Sequence, residues 1–413
     1  MKDIFNISLP KNIRHVEKLV KRFDYGDLVT FAENKTTPIY NWFYYKEGFS
    51  RSCVKNLLTE LNIPKGSTIL DPFCGTGTTL LASRELNYRS IGFDILPLGV
   101  FVTKTKLQTD YDTEMLDRTI KEITSLKFGP TDSKWVDVKF LDMKRAFSRY
   151  ARNDILFFRD KILEISDEKI RNFLLLGLIS IVTQASNTKK DGGVIKIVQK
   201  KHLAPVRYLL KNKLKRMYKD INRINFSNAN AEVHLGDARS LDLEDESIDT
   251  VITSPPYLNF VDYTKLYGLE LSLFLKNSDE ILKIRKSSIR SHISAEYKES
   301  GIPESDELKR IFELIGTIDD KTPLVVKGYF EDMYLAMKEM YRVLKNNGLA
   351  ILVVGNACLP MITVDIDLIL AEIGEHIGFK LKEIWVANVR WCDVHGIVKE
   401  RPVRESIVIL EKE

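Results

Sequence analysis

Seven short apolar segments recur along the chain and predict the strands of one sheet. They are rich in Val, Ile and Leu, and several are followed by segments in which apolar residues have helical spacing. Strands that alternate with helices in this way are typical of an α/β fold. The predicted strands occupy residues 67–73, 90–95, 232–237, 249–254, 349–355, 380–389 and 405–411.

Two stretches interrupt the alternation of strands and helices. Residues 101–230 carry periodic apolar patterns without strand signals, which predicts a mostly helical insertion. Residues 276–325 are polar and basic, and we interpret them as a loop or flap. The flanking ranges 1–100, 231–275 and 326–413 are predicted to form the core, with a further helix at 12–35.

The predicted strand at 249–254 ends in Ser254-Pro255-Pro256-Tyr257. Two prolines remove two backbone donors, so the chain cannot continue the sheet or begin a helix at once. The Ser254 hydroxyl and a prolyl carbonyl remain as acceptors that suit the exocyclic NH2 group of a base, while the Tyr257 ring offers a face for stacking. Acceptors that hold both N–H bonds favour a more tetrahedral nitrogen, whose lone pair can attack an electrophile. A simple diproline turn is the alternative interpretation.

A glycine turn follows the first predicted strand, at Cys74-Gly75-Thr76-Gly77-Thr78-Thr79, and leads into a helix. Strand, glycine turn and helix form the arrangement of dinucleotide sites, but Leu80 replaces the third glycine and no lysine follows. An adenosine with an amino-acid tail therefore fits better than a pyrophosphate. Asp71 is expected to meet an ammonium group, Asp94 the ribose hydroxyls, and Asp237 the adenine amine.

The composition is that of a soluble globular protein, and the net charge of +5 is small enough that nucleic-acid affinity must come from local clusters. Between residues 196 and 223 the chain has ten Lys and Arg residues and a single acidic residue, Asp220. This excess of positive charge favours contact with a phosphate backbone. The residues predicted to bind nucleic acid are Lys196, Lys200, Lys201, Arg207, Lys211, Lys215 and Arg216, with Arg285 and Arg290 from the later basic segment.

Neither a metal site nor a membrane segment is predicted. The four cysteines and six histidines are scattered without a C-x-x-C pair, which argues against a zinc site and a disulfide framework. No cysteine follows a proline, so the Pro-Cys nucleophile of the C5-cytosine methyltransferases is absent. The longest apolar run, at 173–182, is too short to span a bilayer, and we expect a cytoplasmic protein.

The two motifs together resemble those of the amino-methylating DNA methyltransferases, in particular their N4-cytosine branch. The resemblance rests on residues 71–79 followed by 253–257, and on the aromatic segment that ends at residues 45–50. It covers roughly the first hundred residues, 231–275 and 326–413. It implies a Rossmann-like fold, with a seven-stranded, mostly parallel sheet whose last strand is antiparallel. The insertion between the second and third strands departs from the family's more frequent placement of target recognition.

The resemblance also implies a cofactor, a substrate and roles for particular residues. The cofactor would be S-adenosylmethionine and the substrate double-stranded DNA, with base flipping, no metal, and a restriction endonuclease as a candidate companion. Cofactor contacts are expected from Tyr45, Phe49, Ser50, Asp71, Phe73, Gly75, Gly77, Asp94 and Asp237, and catalysis from Ser254, Pro255, Pro256 and Tyr257.

Three alternatives stay open at this point. The first is N6-adenine methylation, although adenine members usually carry Asp or Asn where Ser254 stands. The second is methylation of an RNA base. The third is a DNA-binding scaffold that keeps the fold without the chemistry, against which the intact set of motifs argues.

Overall fold

The computed structural model describes residues 14–275, 277–296, 301–302, 306–316, 321–359, 362–392 and 401–413. Within these ranges the strands are β1 (Leu19–Lys21), β2 (Thr68–Asp71), β3 (Arg89–Asp94), β4 (Thr188–Asp191), β5 (Val194–Ile197), β6 (Ala231–Leu235), β7 (Ile248–Thr253), β8 (Leu344–Gly355), β9 (Ala357–Leu359), β10 (Ile362–Val364), β11 (Phe379–Cys392) and β12 (Arg401–Lys412). The α-helices are α1 (Arg51–Glu60), α2 (Thr78–Glu85), α3 (Pro97–Leu107), α4 (Thr113–Ser125), α5 (Met143–Ala146), α6 (Arg149–Leu163), α7 (Glu168–Ile181), α8 (Val206–Asp220), α9 (Tyr263–Leu266), α10 (Gly268–Phe274), α11 (Ser278–Ser287), α12 (Asp306–Ile315), α13 (Thr322–Val343) and α14 (Ile366–Ile377).

The main sheet has eight strands in the order β1-β11-β12-β8-β7-β2-β3-β6. All neighbours are parallel except β12, which lies antiparallel between β11 and β8. The predicted α/β fold with seven mostly parallel strands and an antiparallel last strand is confirmed. The eighth strand, β1, adds to the edge beside β11.

Strands β2 and β7 lie side by side in the middle of the sheet. Their register pairs Ile69 with Thr250 and Leu70 with Val251. Their apolar residues are fully buried, as expected for central parallel strands covered on both faces. Both strands therefore end at the same edge of the sheet, so the glycine turn after β2 and the Ser254 motif after β7 meet there.

The stretch between β3 and β6 is mostly helical, as predicted. It contains α3 to α8 together with the hairpin of β4 and β5. Its helices share a buried core in which Phe158, Phe173 and Leu214 are fully enclosed. Gly177 allows close packing of α7 and α8, because an added Cβ there would lie 2.4 Å from Leu214 Cδ2.

Two local predictions are wrong. Residues 14–35 form short 3₁₀ turns and β1 in place of a helix, because Leu19 to Lys21 pair with Ile384 to Val386 of β11, and such tertiary pairing overrides weak local propensity. The range 276–325 is not a loop in its described part. It contains α11 and α12, since Leu308, Ile311 and Ile315 recur at helical spacing and are buried against the core.

Candidate active site

A cavity opens where β2, β3, β6 and β7 end, and it brings the two motifs together. It holds about 950 Å³ of space, including its solvent-open mouth. Gly75 of the glycine turn and Ser254 of the strand-end motif both line it. The other lining residues that the sequence singled out are Tyr45, Phe49, Asp71, Phe73, Asp94, Asp237 and Pro256.

Asp71 ties the two motifs to each other. Its carboxylate accepts hydrogen bonds from the hydroxyls of Thr79 and Thr253, each at 2.6 Å, and from the Phe73 backbone N–H at 3.1 Å. Burial raises the pKa of Asp71 to about 6, and these hydrogen bonds oppose the rise. Three hydrogen bonds occupy most of the Asp71 carboxylate, so it acts as a structural brace, and its expected role as the partner of an ammonium stays a prediction.

The glycine turn adopts backbone conformations that glycine favours. Gly75 has φ of 51° and Gly77 has φ of 83°, both in the left-handed region. An added Cβ at Gly77 would lie 2.6 Å from Thr103 Cγ2, and one at Gly75 would lie 3.1 Å from the Tyr45 ring. The turn is therefore packed between α3 and the aromatic segment, and Gly77 shapes it from outside the cavity.

Asp94 and Asp237 stand at the ends of the next two strands, as predicted. Asp94 accepts hydrogen bonds from the backbone N–H groups of Gly75 and Leu96, both at 2.8 Å, and burial raises its pKa to about 7. Asp237 accepts hydrogen bonds from the Arg239 backbone N–H at 2.9 Å and from the Arg239 guanidinium at 2.6 and 2.9 Å. Since a carboxylate has about four acceptor positions, Asp94 retains capacity for a hydroxyl, whereas Arg239 already occupies most of the positions on Asp237.

The cavity suits an adenosine with a charged tail. Flat apolar walls come from Phe73, Ile95, Leu96 and Ala238, beside the acceptors described above. The residues present thus fit S-adenosylmethionine. Ser50 is an exception among the expected contacts, because it is buried and its hydroxyl accepts the Cys53 N–H to cap α1.

The Ser254-Pro255-Pro256-Tyr257 motif is divided between the cavity and the core. Ser254 and Pro256 line the cavity, whereas Pro255 is buried. The Tyr257 ring packs on Gly355, since an added Cβ there would lie 2.7 Å from Tyr257 Cε2, and burial raises the Tyr257 pKa. Tyr257 would have to leave this packing to stack on a base inside the cavity.

Three further cavity residues were not predicted from the sequence. Tyr263 lies near-parallel to Tyr45, with ring centroids 6.4 Å apart. Glu47 accepts a 2.5 Å hydrogen bond from the Tyr267 hydroxyl, while its Oε1 lies 3.6 Å from Lys46 Nζ and accepts no hydrogen bond from any described residue. His292 comes from the segment after α11. The aromatic run at 36–50 pointed to the region of Glu47, but no motif pointed to His292.

Some residues predicted to contact nucleic acid already have partners within the protein. Arg290 is buried in ion pairs with Glu331 and Asp332 at 2.9 and 2.8 Å. Arg285 is largely buried and lies 3.0 Å from Asp262. The expectation that these two arginines bind phosphates does not fit these positions, because a buried paired guanidinium holds the fold together.

The basic residues of the insertion fall into two groups. Lys196 pairs with Asp191 on the surface, Lys200 donates to the Thr183 carbonyl, and Arg207 donates to the Thr124 carbonyl. The other four are exposed and form no ion pair with any residue in the described ranges. These are Lys201, Lys211, Lys215 and Arg216.

Neither a metal-binding cluster nor a membrane-spanning helix occurs among the described residues. No group of three or more His, Cys, Asp or Glu side chains there could hold a metal ion. None of the helices in those ranges combines the length and apolar character needed to cross a membrane.

The chain is similar to known DNA methylases. Residues 14–98 match the family model of N6/N4 methyltransferases, described as DNA methylase. The Type II methyltransferase M.BsoBI of Geobacillus stearothermophilus is 29% identical over 473 residues, which cover 99% of this chain and 92% of that protein. The Type II methyltransferase M.AvaI of Nostoc sp. is 27% identical, with 92% and 87% covered.

Solved structures add little to these similarities. A SAM-dependent methyltransferase from Methanosarcina mazei aligns over 86% of this chain and 96% of its own, at 10% identity and a TM-score of 0.32, which is too low to carry an argument. The family match, the two full-length relatives and the sheet topology agree with one another. The matched family model and these two relatives together support an amino-methylating methyltransferase family for this chain, with S-adenosylmethionine as the cofactor.

Proposed function

We propose that the protein methylates the exocyclic N4 of cytosine in double-stranded DNA. The observation that carries this proposal is that Gly75 and Ser254 line one cavity. A donor site and a base slot then share a single space, so that two bound reactants are positioned for direct transfer. The cytosine leaves the duplex to reach that space, because its amine is inaccessible within a stacked pair.

The protein's own groups prepare the amine for reaction. The Ser254 hydroxyl and the Pro255 carbonyl accept hydrogen bonds from the two N–H groups of the amine. This arrangement directs the nitrogen lone pair into the cavity. When bound, S-adenosylmethionine supplies an electrophilic methyl group. Asp94 and Asp237 accept hydrogen bonds from the cofactor's ribose and adenine. Glu47, whose Oε1 lies 3.6 Å from Lys46 Nζ and accepts no hydrogen bond from a described residue, takes the ammonium in place of Asp71.

Contact with the duplex is proposed for the exposed part of the basic segment. Lys201, Lys211, Lys215 and Arg216 are exposed, and they have no ion pair among the described side chains. They can therefore neutralise phosphates without breaking internal contacts. The names of the relatives suggest a Type II restriction and modification system, in which an endonuclease of the same specificity would accompany this enzyme.

Analysis of the methylated product tests the proposed function directly. The protein is incubated with duplex DNA and S-adenosylmethionine, and the DNA is digested to nucleosides for mass spectrometry. N4-methylcytosine is expected, and N6-methyladenine would overturn the assignment of the base. Transfer RNA is included as a competitor, and its preferential methylation would overturn the assignment of DNA.

Matched serine variants test the role of the motif. Ser254→Ala is expected to lower kcat by about 10- to 100-fold, since one hydrogen bond to the reacting group is lost. Ser247→Ala removes a hydroxyl that bonds only the Glu244 carbonyl, and it is expected to keep full activity. Equal activity of the two variants would show that Ser254 does not hold the amine.

A further inference from the structure

One wall of the cavity comes from the segment that follows α11. Ser288, Ile289, Ser291 and His292 line the same cavity as Ser254. None of them belongs to the cofactor motifs or to the motif that ends β7. Their side chains add hydroxyl and imidazole groups to a space in which the Ser254 hydroxyl and the Pro255 carbonyl serve as the acceptors for an amine.

Buried ion pairs fix this wall in place. The Arg290 side chain points away from the cavity and pairs with Glu331 and Asp332 of α13. Arg239 adds a 2.6 Å hydrogen bond to the Ser287 carbonyl and a 2.9 Å bond to Asp332. The same arginine binds Asp237, so the wall is tied to the cofactor side of the cavity. Such support suits a recognition surface, which must hold its geometry when a ligand enters.

The hydrogen bonding of His292 defines its tautomer. The backbone N–H of Ser294 donates to His292 Nδ1 at 3.2 Å, and a nitrogen that accepts a hydrogen bond carries no proton. Burial lowers the pKa of His292, with smaller effects of Lys265 and Arg285 in the same direction and of Asp262 in the opposite one. The ring is therefore neutral at pH 7 and carries its proton on Nε2.

The Nε2–H group is available to a ligand. His292 is 5% exposed, and within the described residues Nε2 donates to no acceptor. The Nε2 atom is not completely enclosed by protein atoms, so it keeps access to solvent. A hydrogen-bond donor on a cavity wall that also carries Ser291 can serve an acceptor on the ligand.

We propose that His292 and Ser291 read the Watson–Crick edge of the target cytosine through the acceptors N3 and O2. This inference rests on the proposed function, because Ser254 and Pro255 must hold the amine for the adjacent edge to face the wall. Cytosine offers two acceptors beside its amine, and two donors satisfy both. Adenine offers N1 but has a C–H group in place of O2, so one buried donor would lose its partner.

The segment thereby selects the base. The methylating motif alone recognises an amine, which cytosine and adenine share. A donor left without an acceptor is costly in a closed site, and this cost disfavours adenine by about 10- to 100-fold in kcat/KM. Preference for cytosine then depends on the wall at residues 288–292, which lies outside the recognised sequence motifs.

Kinetics on paired duplexes test this assignment with the full-length protein. The recognition site is first read from the DNA of an expressing host, and duplexes are made with cytosine or adenine at the target position. His292→Ala is expected to lower kcat/KM for cytosine by about 10- to 100-fold, and His292→Gln to recover most of the loss because its amide donates. In the double variant Ser291→Ala with His292→Ala, the ratio of kcat/KM for the cytosine duplex to kcat/KM for the adenine duplex should fall.

The controls separate this inference from the proposed function. His376→Ala changes an exposed histidine at the end of α14 and is expected to have wild-type kinetics. Calorimetric affinity for S-adenosylmethionine and the thermal midpoint should stay unchanged in His292→Gln. Wild-type production of N4-methylcytosine with undiminished kcat/KM in a folded His292→Ala would overturn the inference and leave the function standing. Production of N6-methyladenine by the wild type would overturn both.

Discussion

The Thr253 hydroxyl donates a 2.6 Å hydrogen bond to Asp71 Oδ1, between residues 182 positions apart in the chain. Thr253 directly precedes Ser254, and Asp71 begins the turn that contains Gly75. One short contact therefore sets the spacing between the two halves of the cavity.

Loss of this contact should cost stability. Thr253→Val keeps the shape but leaves a buried carboxylate with one bond fewer, and it is expected to lower the free energy of unfolding by about 1–3 kcal/mol. Denaturant titration measures the change. Thr119→Val, on an exposed face of α4 where the hydroxyl bonds only the Met115 carbonyl, is the matched control and should change stability little. Equal effects of the two variants would contradict the bracing role of Asp71.

The glycine turn offers a second comparison. Gly77→Ala places a Cβ 2.6 Å from Thr103 on a backbone with φ of 83°, so the turn must shift. We expect calorimetric affinity for S-adenosylmethionine to fall by about 10-fold or more, because strain of 1–2 kcal/mol adds to the steric clash. Gly66→Ala has φ of 85° but no atom near the new Cβ, so it isolates the backbone strain. It should lower stability without lowering cofactor affinity.

A buried lysine predicts how stability depends on pH. Lys106 is 1% exposed and donates to the Thr76 carbonyl at 3.1 Å, and burial, with a smaller effect of Lys213, lowers its pKa from 10.5 to about 7. Between pH 7 and 10 the unfolded chain holds the proton that the folded protein lacks. For this group, unfolding free energy therefore rises with pH by at most about 1.4 kcal/mol per unit.

The variant Lys106→Met should remove that rise. Unfolding free energies at several pH values between 7 and 10 would show a flatter profile than the wild type. Lys104→Met, on the same helix at an exposed position paired with Glu168, serves as the control and should keep the wild-type slope. An unchanged slope in Lys106→Met would mean that this amine titrates normally in the fold.

Internal and surface arginines should respond differently to substitution. Arg290→Met leaves Glu331 and Asp332 buried without this partner, and it is expected to cost about 3–5 kcal/mol of stability. Lys215→Ala and Arg216→Ala should keep stability and reduce the salt dependence of DNA binding by a slope of about 1 each. Binding isotherms at several salt concentrations measure that slope, and an unchanged slope would exclude α8 from the interface.

The sequence predicted the central strands of the sheet well, because β2, β7 and the second half of β8 are buried on both faces and appear as continuous apolar runs. The positions of Asp71, Asp94 and Asp237 followed, since each stands at the carboxyl end of a predicted strand. The environment of a side chain was harder to predict. Tyr257 packs on Gly355 and Arg290 on α13 through contacts between distant parts of the chain. His292 lacks any local pattern, and only the fold brings it beside Ser254.

The insertion leaves and rejoins the sheet at neighbouring strands. Ser90 of β3 pairs with Ala231 of β6, and the Ser90 backbone N–H donates a hydrogen bond to the Asn230 carbonyl at 3.0 Å. An insertion whose two ends meet near the edge of the sheet can change in length without displacing the central strands. Its first helix, α3, contacts the glycine turn, where Lys106 donates a hydrogen bond to the Thr76 carbonyl. The later part of the insertion is fastened to the core as well, since the Phe173 and Trp42 rings lie 5.2 Å apart and Lys190 pairs with Glu270 at 2.8 Å, so a change of length is tolerated only in segments outside these contacts.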